Sequence, residues 1–233
     1  MRILAFETSA KAASVALLQD GKLLAESYQN TGLTHSQTLM VMAQDMLNQC
    51  GLSVGDLDAV AVAAGPGSFT GVRIGVAAAK GLAWGSEKPC YGVSTLESMA
   101  LALGAFQGTV CPVMDARRSQ VYNALFAAEH GALSRLCEDR AVALEDLAQE
   151  LLTMPQPIFL VGDGSELTYR TLKDRVPGLV LPPEHRMHQR AGGVALAAMA
   201  AAARSESGDA AALQPNYLRL SQAEREKMEK TKV

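Results

Sequence analysis

RILAFETSAKAASVALLQDGKLLAESYQ, residues 2–29, reads as three strands in succession. Arg2–Thr8 is an apolar run of strand length, Ala13–Gln19 a second, and Lys22–Gln29 a third, more polar one. Asp20-Gly21 between the last two is a two-residue hairpin turn, since both residue types tolerate the left-handed backbone such a turn needs. A chain that opens on a meander then needs helices to cover its faces.

They follow at once. Thr34 is placed to cap a helix running to about Cys50, with Gln37 completing a capping box and Gly51 as the stop. Ala59–Ala64 is an apolar strand broken by Gly65-Pro66-Gly67, and a second helix is expected from about Phe69 to Trp84. A short strand at Cys90–Val93 and a helix at Leu96–Leu103, capped by Ser94 or Thr95, complete the half. The order then recurs: strand Thr109–Asp115, then Val121–Ala128 pairing with Leu133–Arg140 through His130-Gly131. Helix Leu144–Leu152, strand Ile158–Val161, helix Ser165–Arg175 and strand Leu179–Leu181 follow, with an Ala-rich helix Val194–Arg204 last. A β-β-β-α-β-α pattern occurring twice implies an internal duplication: an α/β, two-lobed protein with a cleft between lobes 1–105 and 106–190. Residues 221–233 are charge-rich and almost free of apolar side chains, so that tail is expected to be disordered.

Composition limits the chemistry. Hydrophobic residues at 48% against 19% charged supply a substantial core. A net charge of −3 without a basic run argues against tight, unaided nucleic-acid binding. Cys50, Cys90, Cys111 and Cys137 form no C-x-x-C pair, so neither a zinc ribbon nor a disulfide framework is expected. No apolar run approaches the roughly 20 residues needed to cross a bilayer, and no signal-peptide pattern opens the chain, so the expected compartment is the cytoplasm, with no membrane contact.

Gly65-Pro66-Gly67-Ser68-Phe69-Thr70-Gly71 occupies a strand-to-helix junction where phosphate loops occur, but Val72-Arg73 stand where a P-loop has Lys and Ser or Thr. A tight turn seating the helix is the favoured reading. Gly71, Gly75 and Ala79 then form a stripe of small residues that lets another helix or the sheet come close. Arg73, Ala77, Lys80 and Trp84 lie on a further stripe, with the kind of side chains that dominate interfaces. On the first helix Leu39, Met42, Ala43, Met46 and Cys50 share a face, Leu47 and Met40 flank a second apolar strip, and methionines adapt to exchangeable partners. A helix-to-helix subunit contact is the expectation. Catalytic constellations are missing: no H-E-x-x-H, no G-x-S-x-G, and an H-x-x-H at His185 and His188 without a third metal ligand. Glu7 and Asp115 each end the first strand of their half. They would face the cleft as metal–phosphate ligands or bases, or else cap the turns behind their strands.

Ile3-Leu4-Ala5-Phe6-Glu7-Thr8-Ser9 with Ser14-Val15-Ala16-Leu17 resembles the first hairpin of the actin, hexokinase and acetate kinase superfamily. Gly65–Gly75, Lys80-Gly81-Leu82-Ala83, Gly92–Leu96, Asp115-Ala116-Arg117-Arg118 and Tyr217-Leu218-Arg219 narrow the resemblance, which spans essentially the whole chain, to the bacterial TsaB (YeaZ-like) family. That resemblance implies a duplicated actin/sugar-kinase-like fold whose C-terminal helix, 194–204, returns to the first lobe. It implies a non-catalytic subunit, without cofactor, catalytic residues or metal. The subunit pairs with TsaD, the enzyme that transfers threonylcarbamoyl to adenosine 37 of tRNAs reading ANN codons, with the ATPase TsaE joining. It touches tRNA indirectly and self-associates as a homodimer. The family's first two helices make the contact, which here implicates His35, Leu39, Met42, Met46, Arg73, Ala77, Lys80 and Trp84. Nucleotide-using relatives follow the first strand with Asp-x-Gly-Thr; here Glu7-Thr8-Ser9 puts side chains where the phosphate must approach, and the histidine pair of TsaD is missing. The alternatives are an ATP-dependent small-molecule phosphotransferase and, with less to support it, a peptidase.

Overall fold

Strict alternation along the first strand divides the first lobe into two layers. In the computed structural model, which describes residues 1–104, 107–130 and 132–219, β1 (Arg2–Glu7) pairs antiparallel with β2 (Ala13–Gln19), and β2 with β3 (Lys22–Gln29). Asp20 and Gly21 both take positive φ (50° and 81°), as the hairpin reading requires. Leu4 and Phe6 point to one side of the sheet, where α1 (His35–Gln49) packs. A short 3-10 turn, Val54–Asp56, leads to β4 (Ala59–Gly65), which lies parallel to β1, and α2 (Phe69–Gly85) returns to the same face, beside α1. β5 (Cys90–Ser94) completes the order β3-β2-β1-β4-β5, and α3 (Thr95–Leu103) leaves the sheet with Ser94 Oγ accepting the Glu97 N–H at 3.1 Å.

Thr34 stands at the N-cap of α1, but its hydroxyl makes no capping bond and the Thr34–Gln37 box does not form. His35 seats the helix instead: its Nε2 donates to the Ala10 carbonyl at 2.9 Å, tying α1 to the β1–β2 turn.

The second lobe repeats the strand order with an insertion. β6 (Gly108–Asp115) pairs antiparallel with β7 (Gln120–Asn123) through its last residues and with β8 (Phe126–Glu129) through its first. β9 (Ala132–Arg135) pairs with β8, while β10 (Arg140–Ala143) pairs with β7. The expected long strands Val121–Ala128 and Leu133–Arg140 are therefore each divided, and a hairpin sits between the second and third strands of the repeat. The cause lies in Pro112, which has no N–H to give the ladder in the middle of β6. Buried Asn123 fills that gap, its Nδ2 lying 3.1 Å from Pro112 O and 2.9 Å from Ala124 O. Gly131, part of the expected turn, lies outside the described residues, as does the tail 221–233.

Then α4 (Leu144–Leu151), β11 (Ile158–Val161), α5 (Ser165–Leu172), β12 (Leu179–Val180) and a single turn, α6 (Glu184–Met187), complete the lobe. The order β10-β7-β6-β11-β12 matches β3-β2-β1-β4-β5 strand for strand. Helix α7 (Ala191–Ala203) is apolar on every side because it is buried between α3 and the face of the first sheet carrying Ile3 and Ala5. Glu26 accepts from the Gly192 N–H (2.9 Å) and pairs with Arg190 (2.9 Å), anchoring its start.

Candidate functional site

The carboxylate ending the first strand does the same job in both lobes. Glu7 Oε1 accepts the Ser9 N–H at 2.6 Å, and Asp115 Oδ1 accepts the Arg117 N–H at 2.7 Å. Each caps the turn behind its strand. Their surroundings differ. Asp115 is exposed at the cleft, whereas Glu7 is 1% exposed and its Oε2 has no partner. Burial pushes the Glu7 carboxyl up from 4.5 to about 7, partly opposed by the hydrogen bonding of Ser9 and reinforced by the charge of Asp163. Asp163 lies just past the end of β11, and it too is raised, mainly by burial, while Gln189 Nε2 donates to it at 3.1 Å. Its position between Gly162 and Gly164 at the end of an apolar strand was a readable signal.

A cavity of about 440 Å³ opens between the lobes, with Ser9, Lys11, Phe69, Asp115, Arg117 and Asp163 in its wall. Its phosphate-loop edge is closed by the chain itself. Ser68 N–H donates to Ser9 O (2.6 Å), Gly71 N–H to Ser68 Oγ (3.3 Å) and Val72 N–H to Ser68 O (2.9 Å). Thr8 Oγ1 donates to Gly71 O at 2.8 Å, and Thr8 and Ser9 are wholly buried. The small-residue stripe of α2 serves this contact: a Cβ at Gly71 would overlap the Thr8 carbonyl oxygen, and one at Gly75 the Thr8 hydroxyl. The close approach is made to the β1 end, and no second helix is needed to account for it. Among the described residues no three His, Cys, Asp or Glu side chains gather to hold a metal, and His188 pairs with Glu184 at 3.1 Å.

Beyond His35, which is held on the Ala10 carbonyl, the residues expected at a partner contact separate into three groups. Leu39 (1% exposed), Met42 (6%) and Met46 (5%) belong to the core under the first sheet. Their helical spacing marks the inward face of α1, and a side chain already buried by its own chain cannot also present itself to a partner. Around this helix the exposed large apolar residues are Leu33, just before α1, with Met40 and Val41 on it. Arg73 and Lys80 are engaged at home. Lys80 Nζ donates to Leu213 O (2.8 Å) and Ala211 O (3.2 Å), while Arg73 donates to the Tyr217 hydroxyl (2.7 Å) and lies 3.7 Å above the Phe69 ring. Trp84 and Ala77 remain in solvent, with Trp84 74% exposed.

What engages those cations is a strap that motif reading missed. Gly208 O accepts from Cys90 N (2.8 Å), Asn216 N donates to Ala64 O (2.6 Å), and Tyr217 stacks on Phe69 with ring centres 4.6 Å apart. Arg219 Nη1 then reaches Ala116 O in the second lobe. Residues 208–219 thus cross the ends of β4 and β5 and bridge the cleft. The Tyr217-Leu218-Arg219 run was the only sequence sign of it.

Comparison with known proteins agrees with this architecture. The TsaD family, tRNA N6-adenosine threonylcarbamoyltransferase, matches residues 29–227. The TsaB protein of Bacillus subtilis, a tRNA threonylcarbamoyladenosine biosynthesis protein, is 34% identical over 233 residues, covering all of both chains. The solved structure of YeaZ from Pseudomonas aeruginosa superposes with a TM-score of 0.76 at 29% identity, covering 93% of this chain and 99% of that one. Component A of (R)-2-hydroxyglutaryl-CoA dehydratase from Acidaminococcus fermentans shares the fold at a TM-score of 0.50 and 12% identity, covering 87% of this chain and 99% of that one. The architecture is a two-lobed actin/sugar-kinase-like fold. No helix among the described residues is long and apolar enough to cross a membrane.

Proposed function

This chain belongs to the TsaB family of tRNA threonylcarbamoyladenosine biosynthesis proteins, and on that premise we propose that it is a non-catalytic subunit that docks on the catalytic homologue TsaD. Its role is in making threonylcarbamoyladenosine in tRNA, in the cytoplasm, with TsaE joining the assembly. The observation that carries the docking reading is Trp84, 74% exposed on a helix that lies beside α1 and its exposed Met40 and Val41. An indole left in water is the type of anchor that dominates binding energy once a partner covers it. The closed Glu7-Thr8-Ser9 turn supports the non-catalytic half of the reading, since the Ser9 N–H is held by Glu7, Thr8 Oγ1 by Gly71 O, and the Ser68 N–H by Ser9 O.

Mass measurement by light scattering, with the chain and a TsaD-type transferase mixed at tens of micromolar, tests the docking. A one-to-one or two-to-two complex is expected, and Trp84→Ala should weaken it at least tenfold. Separate elution of the two wild-type proteins would end the proposal. A second copy of the chain is expected to use the same face, so the variant should also weaken self-association. Threonylcarbamoyl transfer to tRNA should depend on this chain being present. Titration of the isolated chain with Mg·ATP addresses the phosphotransferase alternative: micromolar binding with turnover would replace the subunit reading.

A further inference from the structure

Arg117, Arg118 and Ser119 all take positive φ, at 65°, 56° and 55°. Three successive non-glycine residues in the left-handed region are held only where the surroundings over-determine them. Here they do. Asp115 Oδ1 accepts the Arg117 N–H, Gln120 N donates to Arg117 O (3.2 Å), Ala116 N donates to Gln120 O (3.0 Å) and Leu144 N to Ser119 O (3.1 Å). The result of this turn is to present two adjacent arginines to solvent, Arg117 in the wall of the interlobe cavity and Arg118 in the adjoining groove beside α4 and α5.

Neither guanidinium has a hydrogen-bond or ion-pair partner among the described residues. Every other described arginine has one: Arg135, Arg140, Arg170, Arg175, Arg190 and Arg204 pair with carboxylates, and Arg2, Arg73, Arg186 and Arg219 donate to other oxygens. Lys11, exposed on the opposite lobe, shares the cavity wall with Arg117 and is likewise unpaired among the described residues. Of the nearby acids, Glu145 is paired with Arg175 and Glu166 with Arg170, while Asp115 and Asp163 hydrogen-bond to neutral donors only, so three unpaired cations stand against two carboxyl groups. Tyr122 and Tyr217 line the same cavity, Tyr217 with one ring face stacked on Phe69 and Tyr122 packed at the edge of the second lobe's core. Cations alternating with aromatic rings at an open groove are the physical pattern that grips single-stranded nucleic acid.

We propose that the Asp115–Ser119 turn, with Lys11 facing it, is a phosphate-binding edge for a single-stranded stretch of RNA, whose bases stack on Tyr122 or Tyr217. The proposed tRNA role supplies the identity of that RNA; the unpaired cation edge belongs to this chain whatever its partner.

The test is fluorescence anisotropy of a labelled anticodon stem-loop RNA with the full-length chain, alone and with the transferase, between 50 and 200 mM salt. Removing two phosphate contacts should lower the slope of log affinity against log salt by about 1.4, at about 0.7 per single-strand phosphate. Arg117→Gln/Arg118→Gln is expected to do that and to weaken binding about tenfold, whereas Arg117→Lys/Arg118→Lys should keep the slope. Lys11→Gln, outside the strained turn, should lower it by about half as much, which covers the case of a glutamine variant that fails to fold. Unchanged slopes and affinities in the folded variants overturn the proposal. So does a wild-type chain that adds nothing to RNA affinity in either setting, or full competition by millimolar AMP, which would assign the edge to a mononucleotide. Light scattering on the same samples keeps the two readings apart. RNA binding without a transferase complex would leave this proposal standing and end the docking one; a complex with insensitive salt slopes would do the reverse.

Discussion

Glu7 carries the sharpest consequence of burial at a single residue. Its folded value of about 7 lies above the ordinary 4.5, so the folded state holds a proton that the unfolded state releases. The stability this contributes is complete below about 4.5 and is lost as pH rises through about 7, an effect on the order of 3 kcal/mol. Glu7→Gln should flatten that dependence; urea unfolding at pH 5 and pH 8 measures it, and equal slopes in variant and wild type would refute the assignment. The two α2 glycines can be told apart in the same way. Gly75→Ala meets the Thr8 hydroxyl and should lose about 1–3 kcal/mol, part of it recovered when Thr8→Ala is added. Gly71→Ala meets a main-chain oxygen, so the same second change should recover nothing. Neither outcome follows from reading a G-x-x-x-G-x-x-x-A stripe, which says that something approaches closely but not what.

At the scale of elements, α1 reverses what its pattern suggested. Met42→Ala and Leu39→Ala should each cost about 2–5 kcal/mol by leaving core cavities, while Met40→Ala and Val41→Ala should change monomer stability by less than about 0.5 kcal/mol. Chemical denaturation ranks the four directly. Leu39, Met42 and Met46 were legible as one face of a helix; which way that face turned was not, because a 3.6-residue period is the same for a core seam and a docking seam. The β6–β7–β8 junction makes the same point in a sheet. Asn123→Ala would strip the acceptors Pro112 O and Ala124 O of a buried donor and should cost about 2–4 kcal/mol. Pro112 was visible in the sequence, but the residue that completes its ladder stands eleven positions later, beyond any local rule.

For the molecule as a whole, the strap 208–219 decides which surface is open. It covers Cys90, which is 2% exposed, and occupies Lys80 and Arg73. Ending the chain after residue 207 should speed alkylation of Cys90 many-fold, read peptide by peptide in a mass spectrometer, with Cys111 unaffected inside the second lobe. No change at Cys90 would mean that the strap is not what shields it. The lobes are further joined by Arg135, which pairs with Glu97 on α3 and Asp139 beside β10, and by the hydrogen bond from Ser94 to Asp139.

What residues 2–29 and the repeated strand–helix order determined alone was the architecture: a duplicated α/β pattern, a cleft between its halves, and a carboxylate at the end of the first strand of each lobe. Alternation and turn chemistry are local, so they survive without a fold to look at. What only the tertiary structure decided was the occupancy of each face. Thr8 fills the glycine stripe, the strap holds Arg73 and Lys80, and Met42 goes inward, while Trp84, Arg117 and Arg118 are left to solvent. Those outcomes depend on contacts between residues far apart in the chain, for which spacing along the sequence carries no signal.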